Sequence, residues 1–176
     1  MIGNDLVFFQ NNTTDLDRLG RKFEKILHPS EQFVLNKSFN AKHFSIVWSI
    51  KETGYKAMQR NFNFKMKLNP HEMQIISYTS KDDVMLSQLA YKNKVIEVTS
   101  LLSVDFVYSF TGKNLVHQFN FTVPNKFKKS IELLQYKPIS LVKNKLGLPY
   151  VEEPNLCIPI SKTHDRDFIA YCWKME

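Results

Sequence analysis

Trp48-Ser49-Ile50-Lys51-Glu52-Thr53-Gly54-Tyr55-Lys56-Ala57-Met58-Gln59-Arg60 is the stretch around which the chain is organised. At helical spacing, Val47, Ile50, Gly54, Ala57 and Met58 share one face, and Ser49, Glu52, Lys56 and Arg60 share another. Glu52 and Lys56 stand one turn apart, with Lys51 beside them. Alone, this is an ordinary surface ion pair in the favourable order, worth about 0.2–0.5 kcal/mol. Gly54 inside a helix is unfavourable by about 1 kcal/mol relative to Ala, a cost most easily understood if another element packs closely there. Asn40 is a suitable N-cap, so the spacing predicts a helix from about Ala41 to Arg60.

Working outward, Ile2 to Phe9 reads as a strand interrupted by Asn4 and Asp5. A buried aspartate is costly unless it is paired, hydrogen-bonded or bound to a cation. Asp5 is thus either a strand-end group meeting solvent or an amide, or a ligand for a hard metal such as Mg²⁺. Thr14 and Asp17 resemble a capping box ahead of a helix with Leu16, Leu19, Phe23, Ile26 and Leu27 on its apolar face. Arg18, Arg21, Lys22 and Lys25 recur on its outer face, either as a solvated stripe or as a surface for an acidic partner. Pro29 ends it.

Downstream, Glu72–Ser80, Lys94–Leu102, Val104–Phe110 and Leu115–Val123 read as strands, the last two joined by a hairpin turn at Thr111-Gly112-Lys113-Asn114. Phe106, Tyr108, Phe110, Phe119 and Phe121 form an aromatic surface, which is either half of a sheet's core or a stacking platform for nucleic-acid bases. A helix is expected over Pro124–Gln135 and a shorter one over Ser140 to about Leu146. Cys157 to Trp173 reads as two strands around Ser161–Asp167.

The chain has 176 residues, the size of one domain, and its 43% apolar and 13% aromatic content excludes a disordered protein. No apolar run reaches the roughly 18 residues of a membrane helix, so no membrane partner is expected. The N-terminus lacks the basic region of a signal peptide, and the two cysteines, Cys157 and Cys172, show no metal-ligand spacing. A reduced, cytoplasmic protein is expected. A net charge of +7 points to an anionic partner without choosing among nucleic acid, an acidic protein and a polyphosphate.

Three segments, taken together, carry a resemblance: Gly3-Asn4-Asp5-Leu6-Val7, then Trp48-Ser49-Ile50-Lys51-Glu52-Thr53-Gly54-Tyr55-Lys56-Ala57, then Pro159-Ile160-Ser161-Lys162-Thr163-His164 running into Phe168-Ile169-Ala170-Tyr171. The chain resembles the 4'-phosphopantetheinyl transferase superfamily. The order of the segments is similar to the single-repeat holo-acyl-carrier-protein synthase type. W-S-x-K-E-x-x-x-K is the most specific of the three. The motifs frame a single domain over 1–176 and leave about 62–146 as an elaboration. Val7 stands where a third carboxylate occurs in two-repeat relatives, Asn4 replaces an aliphatic residue, and Thr53 replaces Ala or Ser.

The resemblance implies an α+β fold, a small antiparallel sheet packed against the long helix, with an extra β-hairpin region. It implies Mg²⁺ held by Asp5 and Glu52, and coenzyme A as donor substrate. Lys56 would neutralise or protonate the departing phosphate, with Lys51 and His164 as further phosphate contacts. The reaction implied is transfer of 4'-phosphopantetheine to a serine hydroxyl of an acyl- or peptidyl-carrier protein, as in fatty-acid or polyketide assembly, releasing 3',5'-ADP. Such carrier proteins are acidic, so Arg18, Arg21, Lys22 and Lys25 form the candidate docking stripe. A trimer is the implied oligomer. A nucleic-acid-binding module and a catalytically silent coenzyme-binding relative are the alternatives.

Overall fold

The computed structural model describes residues 1–9, 16–31, 40–62, 67–129, 131–133, 140–153 and 156–174. Thr14 lies outside them, as do the side chains of residues 16–19 and hence that of Arg18.

Asn40 begins the central helix, its Oδ1 accepting the backbone N–H of His43 at 3.0 Å. That bond satisfies one of the donors a helix start leaves open. The helix, α2, runs Ala41–Phe62, two residues past the expected end. Val47, Ile50, Ala57 and Met58 are buried, as the spacing predicts. Ser49, Lys51 and Thr53 are buried as well. The helix is therefore enclosed on more than one side, by a sheet and by α1 (Leu16–Ile26), whose Phe23 and Ile26, with Leu27 just beyond it, pack on Val47, Phe44 and Trp48.

The sheet under α2 has five antiparallel strands in the order β1-β5-β4-β3-β2: β1 Gly3–Phe8, β2 Met73–Lys81, β3 Val84–Tyr91, β4 Lys94–Leu102 and β5 Phe106–Thr111. A second sheet has six strands in the order β7-β6-β11-β10-β9-β8: β6 Leu115–Phe119, β7 Glu132–Leu133, β8 Val142–Lys143, β9 Pro149–Glu153, β10 Leu156–Asp165 and β11 Phe168–Lys174. All its pairs are antiparallel except β6 with β7.

Four sequence expectations are corrected. One small sheet becomes two. The Thr111–Asn114 segment is not a hairpin turn: β5 pairs with β1 and β4, β6 pairs with β11 and β7, and the segment carries the chain from one sheet to the other. Among the described residues of Pro124–Gln135, only Asn125–Lys128 is helical. Phe127 and Ile131 still reach the core, but Glu132–Leu133 joins the second sheet. Over 140–146 a two-residue strand and a turn stand where a helix was expected. In addition β3, which no reading of the sequence anticipated, turns out of β2 through Asp82 at a positive φ of 53°.

The aromatic residues fill the space between the sheets. Phe106 and Tyr108 are buried with Leu6, Leu101 and Phe127, while Phe8, Phe110, Phe119, Phe121 and Phe168 pack against them. Phe8 stacks on Phe168 at 4.1 Å, and Tyr108 meets Phe119 edge-on at 4.9 Å. Rings held this way are interior and offer no platform to a base.

Two glycines mark where other elements press closest on α2. A Cβ on Gly54 would lie 2.2 Å from Leu89 Cδ2, which explains that residue inside the helix. A Cβ on Gly3 would lie 2.2 Å from Thr53 O and 2.8 Å from Ala57 N, so β1 sits directly on α2. Because backbone cannot swing aside as a side chain can, Gly3→Ala is expected to cost about 3 kcal/mol of stability. Urea unfolding measures that loss, and a variant as stable as the parent would contradict the contact.

Candidate active site

Only every second residue of β1 faces β5, so the amides of Asn4, Leu6 and Phe8 point away from the ladder. Side chains of β10 receive them. Asn4 N–H donates to Ser161 Oγ at 3.1 Å, Leu6 N–H to Thr163 Oγ1 at 3.2 Å and Phe8 N–H to Asp165 Oδ2 at 2.6 Å. Residues two apart on one strand thus close the edge of another. This seam brings β10 alongside Asp5.

Asp5 is only 5% exposed. Its Oδ1 accepts from Thr163 Oγ1 at 2.9 Å and from Lys56 Nζ at 3.1 Å. Having accepted the Leu6 amide, the Thr163 hydroxyl has its hydrogen aimed at the carboxylate. The other carboxylate oxygen, Oδ2, is buried with no hydrogen-bond partner. Burial raises the Asp5 carboxyl from its ordinary 3.8 to about 6; Lys56 opposes that rise, Glu52 adds to it, and Thr163 lowers it again.

Lys56 reaches three oxygens: Asn4 O at 3.0 Å, Asp5 Oδ1 at 3.1 Å and Glu52 Oε1 at 3.6 Å. The side chains of Glu52 and Lys56 remain about a fifth exposed. The structure therefore gathers Asp5, Glu52 and Lys56, of which the first is 47 positions before the second, around one ammonium. Among the described residues no cluster of three or more His, Cys, Asp or Glu side chains forms a cage for a metal ion.

A cavity of about 270 Å³ opens beside Asp5, between β1, the first turns of α2 and the end of β10. Lys22, Phe44, Ser45, Trp48 and His164 line it. Phe44 and Trp48 stack with nearly parallel rings, and Lys22 Nζ lies 5.7 Å over the Phe44 ring. His164 thus shares a wall with Asp5. Lys22 leaves the expected docking stripe for the same cavity, while Arg21 and Lys25 stay exposed on α1.

Lys51 is the correction among the site residues. One residue along a helix turns the side chain by about 100°, which separates Lys51 from Glu52 despite their adjacency. Its ammonium is fully buried, bonded to Glu31 Oε2 at 2.6 Å, Ile26 O at 2.6 Å and Pro70 O at 3.0 Å. Glu31 accepts in turn from the amides of His28 and Ile75. Desolvation pulls the Lys51 ammonium below its ordinary value, and Glu31 resists that shift. Lys51 is a structural cation with its donors already taken. Thr163 and Asp165 were the residues missed, although their period-two spacing with Ser161 was a usable signal.

A family model described as the 4'-phosphopantetheinyl transferase superfamily matches residues 1–95. The chain belongs to that superfamily. The match carries β1, α2 and thus Asp5, Glu52 and Lys56, and makes phosphopantetheine transfer the class of activity. This superfamily member shows no match among curated proteins or solved structures. The β10 strand with Thr163 and His164 lies beyond the matched residues.

Proposed function

We propose that the protein transfers 4'-phosphopantetheine from coenzyme A to a serine hydroxyl of an apo acyl- or peptidyl-carrier protein, in the manner of a holo-acyl-carrier-protein synthase, and releases 3',5'-ADP. The observation that carries this reading is the buried, partnerless Oδ2 of Asp5 next to Glu52 and Lys56. A desolvated carboxylate oxygen with nothing to accept from suits a divalent cation. Two carboxylates and no cage suit Mg²⁺, which completes its octahedron with phosphate and water. Asp5 and Glu52 would hold that ion, and when bound it supplies neutralising charge to the pyrophosphate oxygens.

The chain's own residues do the rest. Lys56, anchored by Asn4 O and the two carboxylates, is placed to meet charge building on the leaving phosphate. Lys22 supplies a cationic contact and His164 a ring N–H donor for the nucleotide phosphates, and Trp48 offers a ring face beside them. Thr163 keeps the Asp5 carboxylate in one orientation. The exposed Arg21 and Lys25 form the docking side for an acidic carrier protein, a contribution that salt should weaken. Self-association as a trimer and residence in the reducing cytoplasm, where both thiols stay free, complete the reading.

Incubation of the full chain with coenzyme A, Mg²⁺ and an apo-carrier protein tests it by mass spectrometry. A gain of one phosphopantetheine on the carrier serine is expected, with the rate lowered roughly 10²- to 10³-fold in Lys56→Ala. Coenzyme A binding without any mass gain on acidic acyl- and peptidyl-carrier proteins would leave a silent relative instead. Tight, salt-sensitive binding of RNA indifferent to coenzyme A would replace the reading altogether.

A further inference from the structure

The Glu52–Lys56 face of α2 continues in both directions along one seam. Ser45, Trp48, Glu52, Lys56 and Arg60 recur every three or four residues, spanning roughly 22 Å at the helical rise. β10 follows the same seam: Asp165 lies at Phe8, Thr163 at Leu6 and Ser161 at Asn4. Pro159 comes next, level with the end of α2. There a second cavity of about 430 Å³ opens, lined by Arg60, Leu148, Pro149, Tyr150, Cys157 and Pro159 among others. Along this face of α2 the Asp5–Lys56 pair thus has a separate cavity on either side of it.

The two cavities differ in chemistry. The one at Trp48 sets Lys22 and His164 beside the carboxylates of Asp5 and Asp165, a mixed set of charges that suits a metal-bridged phosphate, and adds the aromatic faces of Phe44 and Trp48. The one at Arg60 has one guanidinium, one carboxylate, Glu152, and mostly proline, leucine and tyrosine walls, with no aromatic pair for a base. Among the described residues, Arg60 Nε is buried with no hydrogen-bond partner, and Nη1 donates to Pro149 O at 3.4 Å. A guanidinium donates and never accepts, so it needs a carbonyl or an anion. Desolvation lowers its affinity for the proton, consistent with a cation held out of water.

We infer that the Arg60 cavity receives the uncharged, amide-bearing arm of the donor, from the pyrophosphate towards the thiol, with Arg60 donating to an amide carbonyl. The inference rests on the proposed transfer from coenzyme A and deepens it by giving each half of the ligand its own cavity. Except for Arg60, the wall comes from residues 144–159, outside the matched span 1–95. This part of the chain would then decide which acyl groups on the thiol are tolerated.

The exposed Cys157 in that wall is a built-in reporter, because Cys172 is buried and its thiol is pushed up to about 12. Alkylation of the wild-type chain by iodoacetamide is followed with Mg²⁺ and saturating coenzyme A, or with Mg²⁺ and saturating 3',5'-ADP, which lacks the arm. Coenzyme A is expected to slow alkylation at Cys157 about tenfold, and 3',5'-ADP to change it less than about twofold. In parallel, Arg60→Ala should weaken coenzyme A binding about tenfold and leave 3',5'-ADP binding within about twofold. Equal protection by both ligands would put the nucleotide in this cavity and overturn the inference. No protection while calorimetry shows coenzyme A bound would overturn it and leave the transferase reading standing. If neither ligand binds, both fall.

Discussion

An Asp5→Asn variant is expected to lose transfer activity about 10³-fold or more while becoming harder to unfold at neutral pH. The two effects share one cause. Burial holds the Asp5 carboxyl at about 6 in the folded chain against 3.8 in the ordinary state. The folded state therefore binds the proton more tightly than the unfolded state. In the absence of divalent ions, the Asp5 contribution to stability is greatest below pH 4, falls as pH rises from about 4 to 6, and stays low above that. The loss amounts to about 3 kcal/mol, the free-energy equivalent of that difference. Asparagine keeps an oxygen for Thr163 and Lys56 without the charge, so a gain of roughly 1–3 kcal/mol is expected at pH 7.5. Urea melts of both chains in EDTA at pH 4.5 and 7.5 measure it: the difference should be clearly larger at the higher pH. Mg²⁺ should then stabilise the parent and not the variant. A variant less stable than the parent at pH 7.5 would mean that Lys56 more than compensates for the buried charge.

Lys51→Ala is expected to destabilise the protein by about 3–5 kcal/mol, since it leaves the Glu31 carboxylate buried without its cation. Three oxygens converge on Lys51, and two of them, Ile26 O and Pro70 O, belong to segments on either side of α2. Removing the ammonium unties the end of α1 and the turn before β2 from the central helix together. The double variant Lys51→Met, Glu31→Gln should recover much of the loss, because no charge is then stranded. Below its melting temperature the Lys51→Ala chain should still bind coenzyme A within about twofold of the parent. A large loss of coenzyme affinity at unchanged stability would return Lys51 to the phosphate-binding set.

The contrast between Lys51 and Lys56 shows how far residue patterns reach. Helix α2 could be read from the Asn40 cap and the recurrence of Val47, Ile50, Gly54 and Met58, because those signals are local. So could β1 and its odd aspartate. Lys51 could not be placed, because its partner Glu31 is set twenty positions earlier and meets it only after α1 folds back. The division into two sheets was hidden for the same reason: Thr111–Asn114 has the residues of a tight turn, yet β5 finds β1 and β6 finds β11, each far away in sequence. The helix expected after Pro124 failed because Phe127 and Ile131 can be buried equally well by a single turn followed by a strand.

Strands that join through amides and carbonyls can slide, since every backbone unit looks alike. The union of β1 with β10 has no such freedom. Displacing β10 by one residue would offer Lys162 and His164 to the amides of Leu6 and Phe8 in place of a hydroxyl and a carboxylate. Lysine has no acceptor to give. Misalignment is thus rejected by side-chain identity, and the same pattern that seats the strand works as a lock with one key.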